Sequence, residues 1–198
     1  MYRNCGKRII GFIIALMGIL ILAIPMGIIA LLIRFDSKGP IIFRQQRMGK
    51  NGKIFTIYKF RTMIDHAYEI GGIANSSNDS RITKVGALLR RTSLDELPQM
   101  FNILKGDMAI IGPRPILPVE VEEFQDHPKY EEYIKRHDIL PGLFCTVDID
   151  YRASASRELQ FEMDLEYIKT LSLKNDIKYF FQIIKTVVSG KNVYREEE

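Results

Sequence analysis

The sequence predicts a mostly helical α+β protein with a short β-hairpin, a broken re-entrant N-terminal membrane helix, and amphipathic helices at the membrane interface. Three observations predict this class. Residues 9–33 carry no charge, Asn51-Gly52 separates two strand-like runs, and residues 175–189 repeat apolar side chains at helical spacing. We therefore expect a membrane-inserted part over residues 1–35 and a globular part over residues 36–198.

The composition excludes several classes of protein. Of the 198 residues, 46% are hydrophobic and 26% are charged, which is ordinary for a folded protein and unlike a disordered or collagen-like chain. Two cysteines, Cys5 and Cys145, cannot make a disulfide framework, and the three histidines lack the spacing of a zinc site. A reducing, cytoplasmic setting fits best.

Charge is divided unevenly along the chain. Residues 1–61 hold 11 Lys and Arg residues against one acid, whereas the remainder holds 17 basic and 23 acidic residues. A basic front predicts an anionic partner. Phospholipid or a nucleotide is favoured, and no nucleic acid is expected, because the basic residues flank a lipid-like segment rather than a polar surface studded with aromatic residues.

The apolar segment over residues 9–33 has two interpretations. As a helix rising about 1.5 Å per residue it would reach roughly 37 Å, enough to span a ~30 Å hydrocarbon core once. A cleaved signal peptide is disfavoured because the run is too long and no A-x-A site follows. We favour a re-entrant helix that turns at Pro25, because proline removes a backbone donor and because basic residues flank both ends.

Two strands follow the apolar segment. Residues 40–46 and 53–61 are joined by the Asn51-Gly52 turn, a strong hairpin signal. Alternation along the second strand places Lys59 and Arg61 on one face. A charged edge strand is the plain alternative to a binding role for these two cations.

Residues 93–106 predict a helix with a signal at both ends. Ser93 is the expected N-cap, Glu96 completes a capping box, and Gly106 marks the C-terminus. Asp95 and Glu96 would then lie in the first turn, where unpaired N–H groups attract anions. Capping alone accounts for both acids, so by themselves they are weak evidence for a site.

The remaining segments are mostly helical. Residues 81–91 form a short basic amphipathic stretch, residues 119–136 a polar helical region interrupted near Pro128, and residues 71–80 a loop. The last helix, from about Asn175 to Ser189, has an apolar stripe edged by lysines. This pattern suits core packing and the membrane interface equally, and the membrane element elsewhere in the chain favours the interface.

Nearby basic residues strengthen the case that the two adjacent acids belong to a functional site. Arg90 and Arg91 immediately precede them, Arg114 is held between two prolines, and Lys59 and Arg61 share a strand. Such cations can form a phosphate-binding shell around a carboxylate pair. The group can position a diphosphate with Mg²⁺ between its oxygens and an acid, and a carboxylate can attack phosphorus.

Several motifs around these residues resemble one family. They include Tyr58-Lys-Phe-Arg-Thr-Met, Arg91-Thr-Ser-Leu-Asp-Glu-Leu-Pro-Gln, Asn102-Ile-Leu-Lys-Gly-Asp-Met and Ile111-Gly-Pro-Arg-Pro. In order, from about residue 7 to residue 188, the chain resembles the bacterial sugar transferases, the monotopic phosphoglycosyl transferases, in their small form.

The resemblance implies an enzyme and its reaction. Sugar-1-phosphate would pass from a UDP-sugar to undecaprenyl phosphate through a covalent phosphosugar–aspartate intermediate, with release of UMP, as the initiating step in assembly of a capsule, exopolysaccharide, O-antigen or glycoprotein glycan. The implied location is monotopic, with the catalytic domain (36–198) on the cytoplasmic face of the bacterial plasma membrane. Membrane lipid and downstream glycosyltransferases are further implied partners.

The resemblance also implies roles for individual residues. Asp95 would be the nucleophile, and Glu96 would share with it the coordination of Mg²⁺, the implied cofactor. The implied phosphate- or substrate-binding residues are Lys59, Arg61, Arg90, Arg114 and Arg152. We expect activity to need Asp95 ionised, and we expect the cationic shell to favour that form at neutral pH.

The chain departs from the family pattern in three places. Gly11 stands where relatives usually have an acid, Ile24 stands where they have Ser, and Asp148, Asp150 and Tyr151 replace neutral or small residues near the expected nucleotide or sugar contacts. An unusual sugar donor is the preferred explanation. The alternative is a catalytically silent relative that binds polyprenyl phosphate or scaffolds glycosyltransferases, and the retained acid pair argues against it.

Overall fold

The computed structural model describes residues 2–71, 79–151 and 155–189. A π-helical turn (Tyr2–Gly6) precedes the first helix. The α-helices of these ranges are α1 (Lys7–Asp36), α2 (Ala67–Gly71), α3 (Lys84–Thr92), α4 (Gln99–Lys105), α5 (Pro118–Glu122), α6 (Tyr130–Tyr133), α7 (Arg157–Thr170) and α8 (Leu173–Ser189). The strands are β1 (Ile42–Met48), β2 (Ile54–Phe60), β3 (Ala109–Ile111) and β4 (Gly142–Phe144).

Helix α1 continues through Pro25 without a break, so the predicted helix-break-helix is wrong in this respect. Its inward face packs on both sides of the proline, through buried Ala15 and buried Ile29, and this packing offsets the lost backbone hydrogen bond. The outward face is apolar and exposed, as at Leu20 (65%) and Ile24 (78%). Within the described ranges, α1 is the one helix long and apolar enough to cross a membrane.

Both ends of α1 dock on the same globular part. At the N-terminal end, the Lys7 ammonium is paired with Asp176 of α8 and lies 2.6 Å from the Tyr167 hydroxyl. At the C-terminal end, Arg61 donates from Nη2 to the Ser37 carbonyl at 2.7 Å, and Ile33 joins a buried cluster. The helix therefore lies along the globular part, with both of its ends attached to it.

The predicted hairpin is confirmed. Strands β1 and β2 pair antiparallel, with Ile42 opposite Phe60 and Met48 opposite Ile54. The turn contains Asn51 at φ 56° and Gly52 at φ 72°, the left-handed conformations that this residue pair adopts readily. Phe55 and Ile57 of β2 point into the core.

A second, parallel pair of strands forms behind the hairpin. Ala109 lies opposite Gly142 and Ile111 opposite Phe144. A Cβ atom added at Gly142 would lie 2.1 Å from the Gly112 nitrogen, so only glycine permits this approach. The close contact holds the turn after β3, which contains Arg114, against the segment after β4.

The predicted helix over residues 93–106 divides into two elements. Helix α3 ends at Thr92, and Ser93 is its C-cap in the left-handed conformation (φ 56°); Ser93 also precedes the next helical turn, but its side chain makes no capping hydrogen bond there. A single 3₁₀ turn, Leu94–Glu96, follows, and α4 begins at Gln99. The predicted capping box is therefore wrong, whereas Gly106 ends α4 in the left-handed conformation as predicted.

The C-terminal predictions hold in outline. The region over residues 119–136 is helical and interrupted, with α5, α6 and a 3₁₀ segment (Ile134–Asp138) in succession. Helix α8 is amphipathic, with Ile177 and Phe181 exposed and Ile183 fully buried, so it packs on the core and also presents an apolar face outward. Most of the predicted loop over residues 71–80 lies outside the described residues.

Candidate active site

Most of the predicted site residues line one open cleft of about 1300 Å³. Both acids and four of the five predicted basic residues line it: Asp95, Glu96, Lys59, Arg61, Arg90 and Arg114. The fifth, Arg152, lies outside the described residues. The structure thus brings together groups that come from four separate segments of the chain.

The Lys59 and Glu96 side chains form the central ion pair of the cleft. Lys59 projects from the end of β2, and its Nζ lies 2.6 Å from the Glu96 Oε1. The two side chains are 22% and 23% exposed, so solvent screening is reduced and the pair is better defined than a surface salt bridge. Lys59 therefore fixes one of the two acids at the mouth of the cleft.

Asn102 holds the segment that carries the two acids against β2. Its side chain is completely buried, accepts from the Tyr58 N–H at 3.1 Å, and donates to the Thr56 carbonyl at 2.6 Å. Because β1 occupies the other edge of β2, this amide takes the place of a third strand. The bonds fix α4, and with it the acid-bearing turn, relative to Lys59.

Arg90 and Arg61 have further contacts beside the cleft. Arg90 donates from Nε to the Thr62 hydroxyl at 2.9 Å, and α3 can lie this close because Gly86 has no Cβ to strike the Thr62 carbonyl. Arg61 is 5% exposed and donates to the Ser37 carbonyl and hydroxyl at 2.7 and 2.9 Å. The structure therefore places Arg61 at the C-terminus of α1, between the anchor and the cleft.

Burial raises the pKa of Asp95 to about 6. The positive charges of Lys59 and Arg90 act in the opposite direction, and the neighbouring Glu96 adds to the increase. The expected cationic shell is present, but burial outweighs it. Asp95 is consequently ionised at neutral pH and takes up a proton under mildly acidic conditions.

Arg114, from the turn after β3, also lines the cleft. Its Nη1 lies 3.4 Å from the Asp148 Oδ1, and that carboxylate is the largest cause of the raised pKa of Arg114. The Asp148 Oδ2 accepts from the Cys145 N–H at 3.2 Å. Asp148 therefore lines the cleft beside Arg114.

Sequence reasoning missed a third group of charges in the cleft. Glu120 of α5 is paired with Arg157 of α7 and lies 3.8 Å from Arg47 of β1. It also accepts from the Leu117 N–H at 2.6 Å. These residues lie far apart in the sequence, so no local pattern could have assembled them.

The donor set fits a magnesium ion held jointly by the protein and a bound phosphate. Within residues 2–71, 79–151 and 155–189, no group of three or more His, Cys, Asp and Glu side chains is arranged to hold a metal. Asp95 and Glu96 offer two carboxylates in an open cleft. Mg²⁺ is commonly bound by one or two carboxylates together with substrate phosphates, rather than by a cage of protein ligands.

The cleft therefore combines the parts that phosphoryl transfer requires. Asp95, whose carboxylate is mainly ionised at neutral pH, lines the same cleft as Lys59, Arg90 and Arg114, and these cations would neutralise the charge of a bound diphosphate. The volume of about 1300 Å³ is large enough for an extended polar ligand.

Comparison with known proteins identifies relatives over the whole described chain. The family model for bacterial sugar transferases matches residues 2–190. The chain is 37% identical over 187 residues to the UDP-N-acetylgalactosamine-undecaprenyl-phosphate N-acetylgalactosaminephosphotransferase of Aeromonas hydrophila, which covers 93% of this chain and 44% of that protein. It is 39% identical over 193 residues to the UDP-glucose:undecaprenyl-phosphate glucose-1-phosphate transferase of Escherichia coli, which covers 95% of this chain and 41% of that protein.

A third relative has nearly the same length. The exopolysaccharide production protein PSS of Rhizobium leguminosarum bv. phaseoli is 35% identical over 193 residues, which cover 93% of this chain and 96% of that protein. The chain spans about two fifths of the length of the two larger relatives, and the acid-bearing cleft lies within the shared part. By its sequence match from residue 2 to residue 190, this chain belongs to the bacterial sugar transferase family.

Proposed function

We propose that this chain transfers a sugar-1-phosphate from a UDP-sugar to undecaprenyl phosphate, as the initiating step of glycan assembly. The observation that carries the proposal is the cleft in which Asp95 and Glu96 lie among Lys59, Arg90 and Arg114. The named reactions of the Aeromonas and Escherichia relatives support the choice of substrates. Later glycosyltransferases would use the lipid-linked product.

The first step is attack by Asp95 on the donor. A carboxylate oxygen of Asp95 forms a bond to the phosphorus that carries the sugar, and the bond from this phosphorus to the bridging oxygen breaks. UMP leaves with the bonding electrons, and an acyl phosphate remains on Asp95. Lys59, Arg90 and Arg114 line the cleft where negative charge accumulates on the phosphoryl oxygens.

The second step regenerates the enzyme. A phosphate oxygen of undecaprenyl phosphate attacks the acyl-phosphate phosphorus, and the Asp95 carboxylate is the leaving group. The product is the diphosphate-linked lipid. Because one carboxylate is both nucleophile and leaving group, Asp95 must be ionised at the start of each cycle.

Asp95 and Glu96 are the residues that would hold Mg²⁺. When bound, the ion would neutralise charge on the donor's diphosphate. Glu96 is already oriented by its 2.6 Å contact with Lys59, so one acid is fixed while the other reacts.

The proposed location is the cytoplasmic membrane surface, with the chain monotopic. The docking of both ends of α1 on one body supports this topology, because a spanning helix would deliver its ends to opposite sides of the bilayer. The exposed outer face of α1, with Leu20, Ile21 and Ile24 65–78% exposed, supplies the lipid contact. A lipid phosphate lies at headgroup height, which is where such an anchor holds the cleft.

The proposal is tested by incubating the full chain in lipid nanodiscs with undecaprenyl phosphate, Mg²⁺ and a panel of UDP-sugars. We expect UMP release with at least one donor, and a phosphosugar adduct on Asp95 by mass spectrometry when the acceptor is omitted. An Asp95→Asn variant that released UMP at the wild-type rate would remove Asp95 from the mechanism. Binding of undecaprenyl phosphate without turnover of any donor would favour the catalytically silent alternative.

A further inference from the structure

We infer that Asp148 is a counter-anion for Arg114. The Asp148 carboxylate competes with the donor's phosphates for this arginine and so weakens nucleotide binding. The inference rests on the proposed function, because it assigns a role to a carboxylate inside the proposed donor cleft.

The contact between the Arg114 and Asp148 side chains is long, and the two side chains differ in their exposure to solvent. Arg114 Nη1 and Asp148 Oδ1 are 3.4 Å apart, beyond the usual range of a charge-assisted hydrogen bond. The Arg114 side chain is 42% exposed, whereas that of Asp148 is 14% exposed. Arg114 can therefore turn toward a ligand in the cleft, while Asp148 stays in place.

The surroundings hold the Arg114 backbone still. Its carbonyl accepts from Arg136 Nη2 at 2.7 Å, and the preceding Pro113 carbonyl accepts from the Gly142 N–H at 2.9 Å. The Arg136 guanidinium is itself paired with buried Asp164. The backbone of Arg114 is therefore fixed, and its side chain is the part that can move between Asp148 and a bound phosphate.

Asp148 is fixed by its own local bond. Its Oδ2 accepts from the Cys145 N–H at 3.2 Å, at the start of the 3₁₀ segment Thr146–Ile149. Because this bond holds Asp148 in place while the exposed Arg114 side chain can turn, binding of a phosphate by Arg114 separates the pair. The same carboxylate repels the phosphate itself, and both effects weaken the affinity for a nucleotide and favour its release.

The test measures nucleotide binding, without turnover. The full chain in detergent micelles is titrated calorimetrically with uridine, UMP and UDP. The variant Asp148→Asn keeps an oxygen for the Cys145 N–H but removes the charge. The matched control is Asp138→Asn, which removes an exposed charge outside the cleft.

We expect Asp148→Asn to bind UMP about 3- to 10-fold more tightly, and UDP more tightly still, because the effect grows with ligand charge. The affinity for uridine should not change, and the Asp138→Asn protein should bind UMP and UDP as the wild type does. The gain should vanish when Arg114→Gln is added, and it should shrink at high salt.

Three other results would overturn the inference. Unchanged or weaker UMP binding by folded Asp148→Asn would show that Asp148 does not compete with phosphate. An equal gain for uridine would assign the effect to the shape of the cleft. No nucleotide binding by any protein, the wild type included, would refute the proposed function together with this inference.

A second variant keeps the test possible if Asp148→Asn does not fold. If Asp148→Asn unfolds, Asp148→Ser keeps a shorter acceptor without the charge, and the same gain in UMP affinity is expected. Thermal unfolding of each variant shows whether it is folded, and a folded variant is then used for the titration.

Discussion

Replacing Asp95 by Asn should stabilise the protein while abolishing its proposed activity. The folded-state pKa of Asp95 is about 6, against an ordinary value of 3.8. At about 1.36 kcal/mol per pKa unit, ionised Asp95 would cost the folded state up to about 3 kcal/mol above pH 6. The side chain is half-buried, so solvent screening lowers the expected gain to about 1–3 kcal/mol at pH 8.

The sign of the pH dependence follows from the direction of the shift. The folded state binds the Asp95 proton more tightly than the unfolded state does, so the cost of ionisation is present above pH 6. It disappears as the pH falls from about 6 to 3.8, the ordinary pKa. The advantage of Asp95→Asn over the wild type should therefore shrink across this interval.

The assay is thermal unfolding in detergent, for both proteins, at several pH values between about 4 and 8. For a chain of this size, 1 kcal/mol shifts Tm by about 2–4 °C, so Asp95→Asn should unfold about 2–12 °C higher at pH 8. The control is Asp138→Asn, an exposed acid outside the cleft, whose Tm should follow that of the wild type. A variant less stable than the wild type at pH 8, or a gain independent of pH, would refute the argument from burial.

Three further predictions follow from other contacts. UMP release by the wild type should fall as the pH drops through about 6, because the nucleophile becomes protonated; a rate that rises over that interval would contradict the assignment. Asn102→Ala should cost about 2–4 kcal/mol in chemical unfolding and slow turnover, because the Tyr58 N–H and Thr56 carbonyl lose their buried partner. Lys7→Met should cost about 3–5 kcal/mol by leaving Asp176 buried without its cation, and adding Asp176→Leu should recover part of that loss in the same measurement.

The parts of the fold that local chemistry dictates were predictable from the sequence. The Asn51-Gly52 turn and the Gly106 helix end both require a left-handed backbone conformation. Asparagine and glycine adopt this conformation readily, so their positions in the sequence predict both features. The hydrophobic run predicted a helix at this place, but the expected break at Pro25 is absent. The grouping of the acids with Lys59, Arg90 and Arg114 was also predicted, because basic residues of these types suit a phosphate-binding shell around a carboxylate pair.

The errors arose where a local pattern had two solutions. Ser93 followed by Glu96 is typical of a helix start, but α3 reaches Thr92, and Ser93 ends that helix. Glu96 then pairs with Lys59, which is 37 positions away in the sequence. The pKa of Asp95 depends on burial by elements from several parts of the chain, which periodicity and spacing do not report.

Because the hydrophobic helix also completes the core, it is more than a tether. Ala15 packs with Phe55 and Ile57 of β2, and Ile33 packs with Phe60 at the end of that strand, next to Lys59. A truncated, water-soluble fragment lacking residues 1–36 would expose these side chains and lose the support beneath the strand. Removal of the anchor for easier purification would therefore damage the acid-bearing cleft that the fragment was made to preserve.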